Sequence, residues 1–265
     1  MNAVLVDGPA GKLSVRVSDG PVSATPACFV HPVNTGGAVW DPVVARLAAK
    51  RICVVPDLRG HGASDAGGPY RVEDYAADVL AVLDGLGLDR VHLVGGSIGG
   101  PVGVLLAATA PDRVVTVAGF GVALALRLPD GALDSALDLL RQQGTRATFE
   151  LLAGGAVAEG ADPALAALVV DLASNGREPD LVGEAMIGAF TTDVTPLAAA
   201  VRVPCLVANG TADATCTPAD ARTMAAAVAD CRVEILDGIG HLPMLESPDV
   251  VAALLDEHFR KGEPS

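Results

Sequence analysis

Positive charge is scarce in this chain of 265 residues. Lys and Arg total 18 against 32 Asp and Glu, which gives a formal net charge of -14. A nucleic-acid-binding protein needs cationic side chains to displace counterions from phosphates, and anionic membrane surfaces attract basic segments rather than acidic ones. The charge balance therefore predicts that neither a nucleic acid nor a membrane is a partner.

The chain also lacks a membrane-spanning run, a leader-like start and a paired-cysteine pattern. No uncharged apolar run reaches the ~20 residues that cross a bilayer, and residues 1–9 show no basic segment followed by an apolar one. The five cysteines show no C-x-x-C spacing, and three lie in apolar, strand-like runs: Cys28, Cys53 and Cys205. We therefore expect reduced, buried thiols and a cytoplasmic location.

Apolar residues are abundant, at 51% of the chain, which supports a large core and argues against disorder. Strand-like and helix-like segments alternate up to residue 110 and again after residue 201. This alternation predicts an α/β fold, with a mostly parallel central sheet flanked by helices. The expected strands are 4–6, 13–17, 27–31, 51–56, 90–94, 205–208 and 232–236. The expected helices outside the middle of the chain are 38–50, 72–86, 98–110, 218–229 and 248–259.

The stretch from residue 121 to residue 200 departs from this alternation. It contains only helix-like segments, at 132–142, 145–157, 163–174 and 179–190, separated by Gly, Pro and Asp-Pro. An all-helical insertion in an α/β chain is expected above the sheet, as a lid over the site. We therefore predict an α/β core at 1–120 and 201–265, with an inserted helical cap at 121–200.

A Gly-x-Ser-x-Gly pattern at Gly95, Ser97 and Gly99 stands between a buried strand and a helix. This is the context of a nucleophile elbow, in which the serine takes a strained backbone and only glycine fits on either side. The helix start behind the serine favours developing negative charge. The alternative is a turn that lets a helix pack closely on a strand, in a chain with 30 glycines. We favour Ser97 as a nucleophile.

A serine hydroxyl needs a base to accept its proton, and His241 is the best placed of the five histidines. It lies in a glycine-rich loop after the last strand, and α/β active sites form at the carboxyl ends of parallel strands. Asp213 follows the preceding strand and is the candidate to orient the imidazole. Asp57 also lies at a strand end and is a rival, which we interpret as a turn residue.

These segments resemble the α/β-hydrolase superfamily over nearly the whole chain, at residues 31–40, 57–64, 95–99, 209–213 and 240–248. Within it, the chain is most similar to the small capped hydrolases: 3-oxoadipate enol-lactonases, carboxylesterases and cofactor-free haloperoxidases. The resemblance implies the α/β-hydrolase fold and a triad in the order Ser97, Asp213, His241. It also implies an oxyanion hole made by the backbone N–H groups of Val33 and Ile98.

One position departs from the family pattern. The chain has Pro32 after His31, where the family usually has glycine. Proline has no N–H to donate, but the expected donor is the next residue, so the oxyanion hole survives the change. The side chain of Asn34 is a candidate additional donor, and the alternative is that it only forms a turn.

The expected substrate is small and mainly apolar, held under the cap. Aromatic residues make up only 3% of the chain, so stacking on a large flat ring is not an evident feature. The candidate substrate-contacting residues, whose alternative role is to hold the cap together, are Asn34, Trp40, Phe149, Met186, Phe190 and Leu242. Four cap arginines are candidates to meet an acidic substrate, or else are solvated charges: Arg127, Arg141, Arg146 and Arg177.

The hypothesis is a serine hydrolase that cleaves an ester or lactone through an acyl-enzyme on Ser97. The fold alone does not separate it from a non-hydrolytic enzyme (a lyase, cyclase or acyl transferase) or from a ligand-binding receptor. A C–C hydrolase is less favoured because Leu242, not an aromatic residue, follows His241. No clustering of carboxylates and histidines predicts a metal or an organic cofactor. The sequence leaves a homo-oligomer open.

Overall fold

Eight strands form one sheet in a computed structural model that describes residues 1–263. The strands are β1 (Asn2–Gly8), β2 (Gly11–Val17), β3 (Ala27–Val30), β4 (Cys53–Pro56), β5 (Val91–Gly96), β6 (Val114–Phe120), β7 (Cys205–Gly210) and β8 (Cys231–Leu236). Their order across the sheet is β1-β2-β4-β3-β5-β6-β7-β8. The first two pairings are antiparallel and all the others are parallel. The expectation of a mostly parallel sheet is confirmed.

Helices follow most of the strands. The helices are α1 (Asp41–Leu47), α2 (Val72–Gly85), α3 (Gly99–Thr109), α4 (Ala132–Leu152), α5 (Pro163–Ser174), α6 (Pro179–Phe190), α7 (Thr195–Ala198), α8 (Pro218–Ala227), α9 (Pro243–Glu246) and α10 (Pro248–Phe259). Single 3₁₀ turns occupy Gly37–Trp40, Pro111–Arg113 and Ala153–Ala156. The buried apolar side chains form two clusters, and every residue of the central β5 and β6 is buried. A sheet covered on both faces explains why these strands are continuous apolar runs.

Two segments differ from the sequence-based expectation. The strand β6 was not among the predicted strands, although its seven residues Val114–Phe120 are all buried. The expected helix 38–50 is a 3₁₀ turn followed by the shorter α1, and Pro42 stands in the first turn of that helix. Proline lacks the N–H that an upstream helical turn would need, so it favours a new helix start at this point.

Four helices lie between β6 and β7. Helix α4 covers the expected segment 132–142 and the first part of the expected 145–157, with a break at Gly144, whose φ is 82°. It ends at Leu152, where the 3₁₀ turn Ala153–Ala156 replaces the rest of the expected helix. Helices α5 and α6 have the expected bounds, because each has a proline in its first turn, and Asp162 caps α5 by accepting from the Ala164 N–H at 2.9 Å. A single β-bridge between Ala125 and Asp193 joins the two ends of this region. The cap boundaries at 121 and 200 stay a prediction.

The parallel strands place their following loops at one edge of the sheet. The loops after β3, β5, β7 and β8 contain residues 31–36, 97–98, 211–217 and 237–242. These are the loops that hold the candidate catalytic residues. Across residues 1–263, all five cysteines are free thiols, and no helix is both long enough and apolar enough to cross a bilayer.

Candidate active site

Ser97 occupies a sharp turn between β5 and α3. Its φ is 49°, in the left-handed region that costs a non-glycine residue energy. A Cβ on Gly95 would lie 2.2 Å from the Gly99 carbonyl carbon, and one on Gly99 would lie 2.7 Å from the Val30 carbonyl oxygen. The turn therefore requires glycine on both sides of the serine. The Gly-x-Ser-x-Gly spacing follows from this close packing of β5, α3 and β3.

His241 and Asp213 form a hydrogen-bonded pair. His241 Nδ1 lies 2.9 Å from Asp213 Oδ2, while Asp213 Oδ1 accepts from the backbone N–H groups of Thr215 and Cys216, both at 2.8 Å. A carboxylate is an acceptor, so the imidazole carries its proton on Nδ1. In the neutral ring with this tautomer, Nε2 is the atom with the free lone pair, which is the form that a general base needs.

Ser97 and His241 line the same cavity. Within residues 1–263 their side chains form no hydrogen bond with each other. Such bonds are often long in an unliganded enzyme and tighten only with the substrate in place. The structure thus brings the three candidate triad residues to one site, with the His–Asp half already paired.

Residues 31–35, which we call the oxyanion loop, hold the first candidate oxyanion donor. Within residues 1–263, neither the Val33 N–H nor the Ile98 N–H donates to another protein group. The Pro32 carbonyl oxygen, which shares a peptide plane with the Val33 N–H, accepts from His31 Nδ1 and from Thr35 Oγ1, both at 2.7 Å. In a trans peptide the C=O and N–H point in opposite directions. These two bonds therefore help to orient the Val33 N–H from the side of the core.

The cavity has a volume of about 300 Å³, at the small end of the range for ligand sites. Val33 and five of the six predicted substrate-contacting residues line it: Asn34, Phe149, Met186, Phe190 and Leu242. Most of the remaining wall is aliphatic and comes from Leu128, Ala132, Ala136, Leu152, Ala153, Gly155, Ala156 and Val169. The space is thus suited to a small, uncharged, apolar group.

Trp40 does not line the cavity, contrary to the prediction. Its side chain is fully buried, with ring centroids 5.4 Å from Phe29 and 6.2 Å from Phe120. The tryptophan is the last residue of the 3₁₀ turn Gly37–Trp40 and packs in one of the two buried apolar clusters. Asp57 accepts from the backbone N–H groups of Gly37 and Ala63 at 2.8 and 3.1 Å, in keeping with its interpretation as a turn residue.

Two buried histidines support the oxyanion loop, and the sequence reasoning did not assign them this role. His31 Nε2 accepts from the Leu58 N–H at 3.0 Å, and His61 Nε2 accepts from the Asn34 N–H at 3.1 Å. Burial lowers the pKa of His31 to about 4 and lowers the pKa of His61 well below its usual value. Both are therefore neutral near pH 7 and can accept these bonds. The only sequence signal was their position in loops after β3 and β4.

Glu246 is a second residue whose role the sequence did not reveal. Its Oε2 accepts from the backbone N–H groups of Ala158 and Gly240 at 2.9 and 3.0 Å, and its Oε1 accepts from Leu242 N–H at 3.2 Å. It therefore holds the residues on both sides of His241 and also binds the chain that follows α4.

Three of the four cap arginines lie on the outside. Arg127, Arg141 and Arg146 are mostly exposed and pair with nearby carboxylates. Arg177 is instead buried, but it does not line the cavity. These positions favour the solvated-charge interpretation for the first three arginines.

One group of side chains has the composition of a metal site. The ligand atoms of Asp213, Cys216 and His241 lie within 4.8 Å of one another. Burial, with the Asp213 and Asp220 charges nearby, raises the pKa of the Cys216 thiol well above its usual value. Metal binding by cysteine requires the thiolate, and Asp213 already accepts three hydrogen bonds. Hydrogen bonding thus accounts for the arrangement of this group.

Comparison with known proteins agrees with the fold. A family model described as "Alpha/beta hydrolase family" matches residues 29–254. The chain is 29% identical to 3-oxoadipate enol-lactonase 2 of Acinetobacter baylyi over 227 residues, or 83% of each protein. The solved enol-lactonase from Burkholderia xenovorans LB400 superposes with a TM-score of 0.88 at 28% identity, covering 98% of this chain and 100% of that one. Est816, described as an N-acyl homoserine lactone degrading enzyme, gives a TM-score of 0.85 at 27% identity, covering 96% and 99%.

Proposed function

The chain belongs to the alpha/beta hydrolase family, and on that basis we propose that it is a serine hydrolase that cleaves an ester or lactone bond of a small, mainly apolar substrate. The observation that carries the proposal is the strained Ser97 at a cavity shared with His241, whose Nδ1 is bonded to Asp213. The likeness to enol-lactonases and to a lactone-degrading enzyme adds support for this bond class.

The reaction follows from the placement of these groups. Ser97 Oγ attacks the carbonyl carbon while His241 Nε2 takes the hydroxyl proton. The carbonyl oxygen becomes an oxyanion, which the N–H groups of Val33 and Ile98 receive, and one such donor is worth about 3–4 kcal/mol in well-studied enzymes. The intermediate collapses to an acyl-enzyme as the leaving oxygen takes the proton from His241. Water then repeats the sequence and releases the acid.

The aliphatic wall of the cavity sets the expected substrate preference. A carboxylate on the acyl group would lose its hydration there without gaining a cation, since the cap arginines do not line the cavity. We therefore expect hydrolysis of p-nitrophenyl butyrate and of simple aliphatic lactones, with weaker activity on substrates that carry a carboxylate in the acyl part.

Covalent labelling tests the nucleophile. A fluorophosphonate probe is expected to label the native protein, and Ser97→Ala is expected to abolish both labelling and turnover of p-nitrophenyl butyrate. Ser135→Ala, at an exposed serine of α4, serves as the matched control and should keep both. Labelling that persists in Ser97→Ala would refute the assignment. Labelling of the native protein without turnover of any ester or lactone would instead favour a non-hydrolytic role.

A further inference from the structure

Arg177 is a buried cation between α5 and α6. It is 8% exposed, and within residues 1–263 no carboxylate lies within 4.0 Å of its guanidinium. Burial lowers its pKa to about 10, so it remains charged at neutral pH. A buried charge without a counter-ion is costly unless hydrogen bonds compensate for the lost water. The partners of this guanidinium therefore matter.

Those partners lie mainly on loops of the core below the cap. Arg177 Nε donates to the Gly60 carbonyl oxygen at 2.8 Å, and Nη1 donates to Asn34 Oδ1 at 2.9 Å. Nη2 lies 3.3 Å from His61 Nε2, whose single lone pair it shares with the Asn34 N–H. Nε2 is the acceptor of that ring because Nδ1 faces the Arg59 carbonyl oxygen at 2.8 Å. The planar guanidinium fixes the relative positions of three groups at once.

Asn34 is the residue through which this arrangement reaches the candidate oxyanion hole. Its φ is 56°, in the left-handed region that asparagine tolerates better than most other non-glycine residues. Its N–H is bound by His61 and its side-chain oxygen by Arg177, so both ends of the residue are fixed. Asn34 directly follows Val33, whose N–H is the candidate donor.

We propose that Arg177 is a positioning residue, which binds the Asn34 side chain and so holds the oxyanion loop with the Val33 N–H aimed at the reacting carbonyl. The inference rests on the proposed hydrolase function and deepens it. The other supports of the loop, His31, Thr35 and His61, belong to the core. Arg177 belongs to the cap region, so the oxyanion loop is fully held only when this part of the cap is seated.

Arg177→Met tests the proposal because it keeps the length of the side chain and removes all its donors. We expect kcat for p-nitrophenyl butyrate to fall about 10–50-fold, since complete loss of one oxyanion donor costs 10²–10³-fold and here the donor is only loosened. KM should stay within about twofold, because Arg177 does not line the cavity. Arg177→Lys keeps a point charge but loses the planar fork of donors, so its kcat should lie between those of the native protein and of Arg177→Met.

A transition-state analogue separates this role from a purely structural one. An aliphatic trifluoromethyl ketone forms a tetrahedral adduct with a nucleophilic serine, and the adduct oxygen occupies the oxyanion hole. Arg177→Met should weaken its inhibition by about the same factor as kcat falls. Arg146→Gln, at an exposed cap arginine paired with Glu150 and Asp171, is the matched control and should change neither value.

A double-mutant cycle tests the route through Asn34. Asn34→Gly alone should lower kcat and ketone affinity, and adding Arg177→Met should cause no further loss, because the two residues act as one unit. Losses that multiply would overturn the proposal, as would a raised KM with unchanged kcat, or an equal loss in Arg146→Gln. If Arg177→Met does not fold, Asn34→Gly alone still tests the proposal. Native kcat and native ketone affinity in Asn34→Gly would overturn it. Absence of Ser97-dependent turnover in the native protein would instead overturn the proposed function.

Discussion

Replacing Glu246 with glutamine perturbs the loop of the candidate base without changing its size. The native carboxylate accepts three backbone N–H groups, from Ala158, Gly240 and Leu242. The His241 N–H itself donates to the carbonyl oxygen of residue 156 at 3.2 Å. Two bonds to the cap and two bonds within the loop thus fix the backbone around the imidazole.

The expected loss of stability in Glu246→Gln follows from the number of hydrogen-bond acceptors that the side chain keeps. The amide has one oxygen, and its best orientation keeps the two bonds of Oε2 and turns the NH₂ group toward the Leu242 N–H, so that two donors face each other. A hydrogen bond to a charged group is worth about 1.5–3 kcal/mol, and the two surviving bonds weaken because the acceptor is now neutral. We therefore expect the free energy of unfolding to fall by about 2–3 kcal/mol. A shift of the loop by a fraction of an ångström should lower kcat by about 10–100-fold.

Urea unfolding and steady-state hydrolysis of p-nitrophenyl butyrate measure the two effects. Asp237→Asn is the matched control, since Asp237 lies in the same loop before His241 but is exposed, and among residues 1–263 its side chain bonds only the Thr211 hydroxyl, at 3.3 Å. Native stability and native kcat in Glu246→Gln would refute the reasoning. An equal loss in Asp237→Asn would show that the charge of the loop matters, and not these hydrogen bonds.

Two further predictions follow from the buried polar groups. Asp213→Asn should keep the fold but lower kcat by about 10⁴-fold, as in other triad enzymes, because an amide favours the wrong tautomer of His241; kcat within tenfold of native would contradict the assignment. The free energy of unfolding should fall as the pH drops from about 6.5 toward 4, because the buried histidines stay neutral when folded and take up a proton when unfolded. Burial lowers the pKa of His31 to about 4. At about 1.4 kcal/mol per pH unit, His31 alone should therefore lower the free energy of unfolding by about 3 kcal/mol at the acidic end of this range. Burial also lowers the pKa of His61, His92 and His258, and a flat urea-unfolding free energy over this pH range would contradict the prediction.

Backbone geometry explains why part of the site could be predicted from the sequence. A Cβ at Gly95 or Gly99 would clash with the neighbouring backbone, so the turn around Ser97 can be recognised from these two glycines in the sequence. His241 and Asp213 could be chosen because each follows a strand whose carboxyl end the alternation had already located. The starts of α5 and α6 could also be predicted from the sequence, since each helix begins at a proline.

The remaining features depend on partners that residue type does not encode. Glu246 binds three backbone N–H groups, and any residue at those positions except proline would supply them. The sequence around Arg177 does not distinguish it from the other three cap arginines, because its partners Asn34 and Gly60 lie far away in the chain. Trp40 was a predicted cavity residue, but it ends the 3₁₀ turn Gly37–Trp40 and is fully buried in the core.

Hydrogen bonds join the helical region between β6 and β7 to the loops that hold the candidate catalytic residues. Arg177 holds the oxyanion loop from one side, and Glu246 binds Ala158 on the other. Lifting the whole cap would break several charge-assisted bonds, each worth about 1.5–3 kcal/mol. Leu152, in contrast, both lines the cavity and is 39% exposed. A substrate that enters beside Leu152 would reach Ser97 while the hydrogen bonds of Arg177 and Glu246 stay formed. The cap region would then act as a fixed wall of the site.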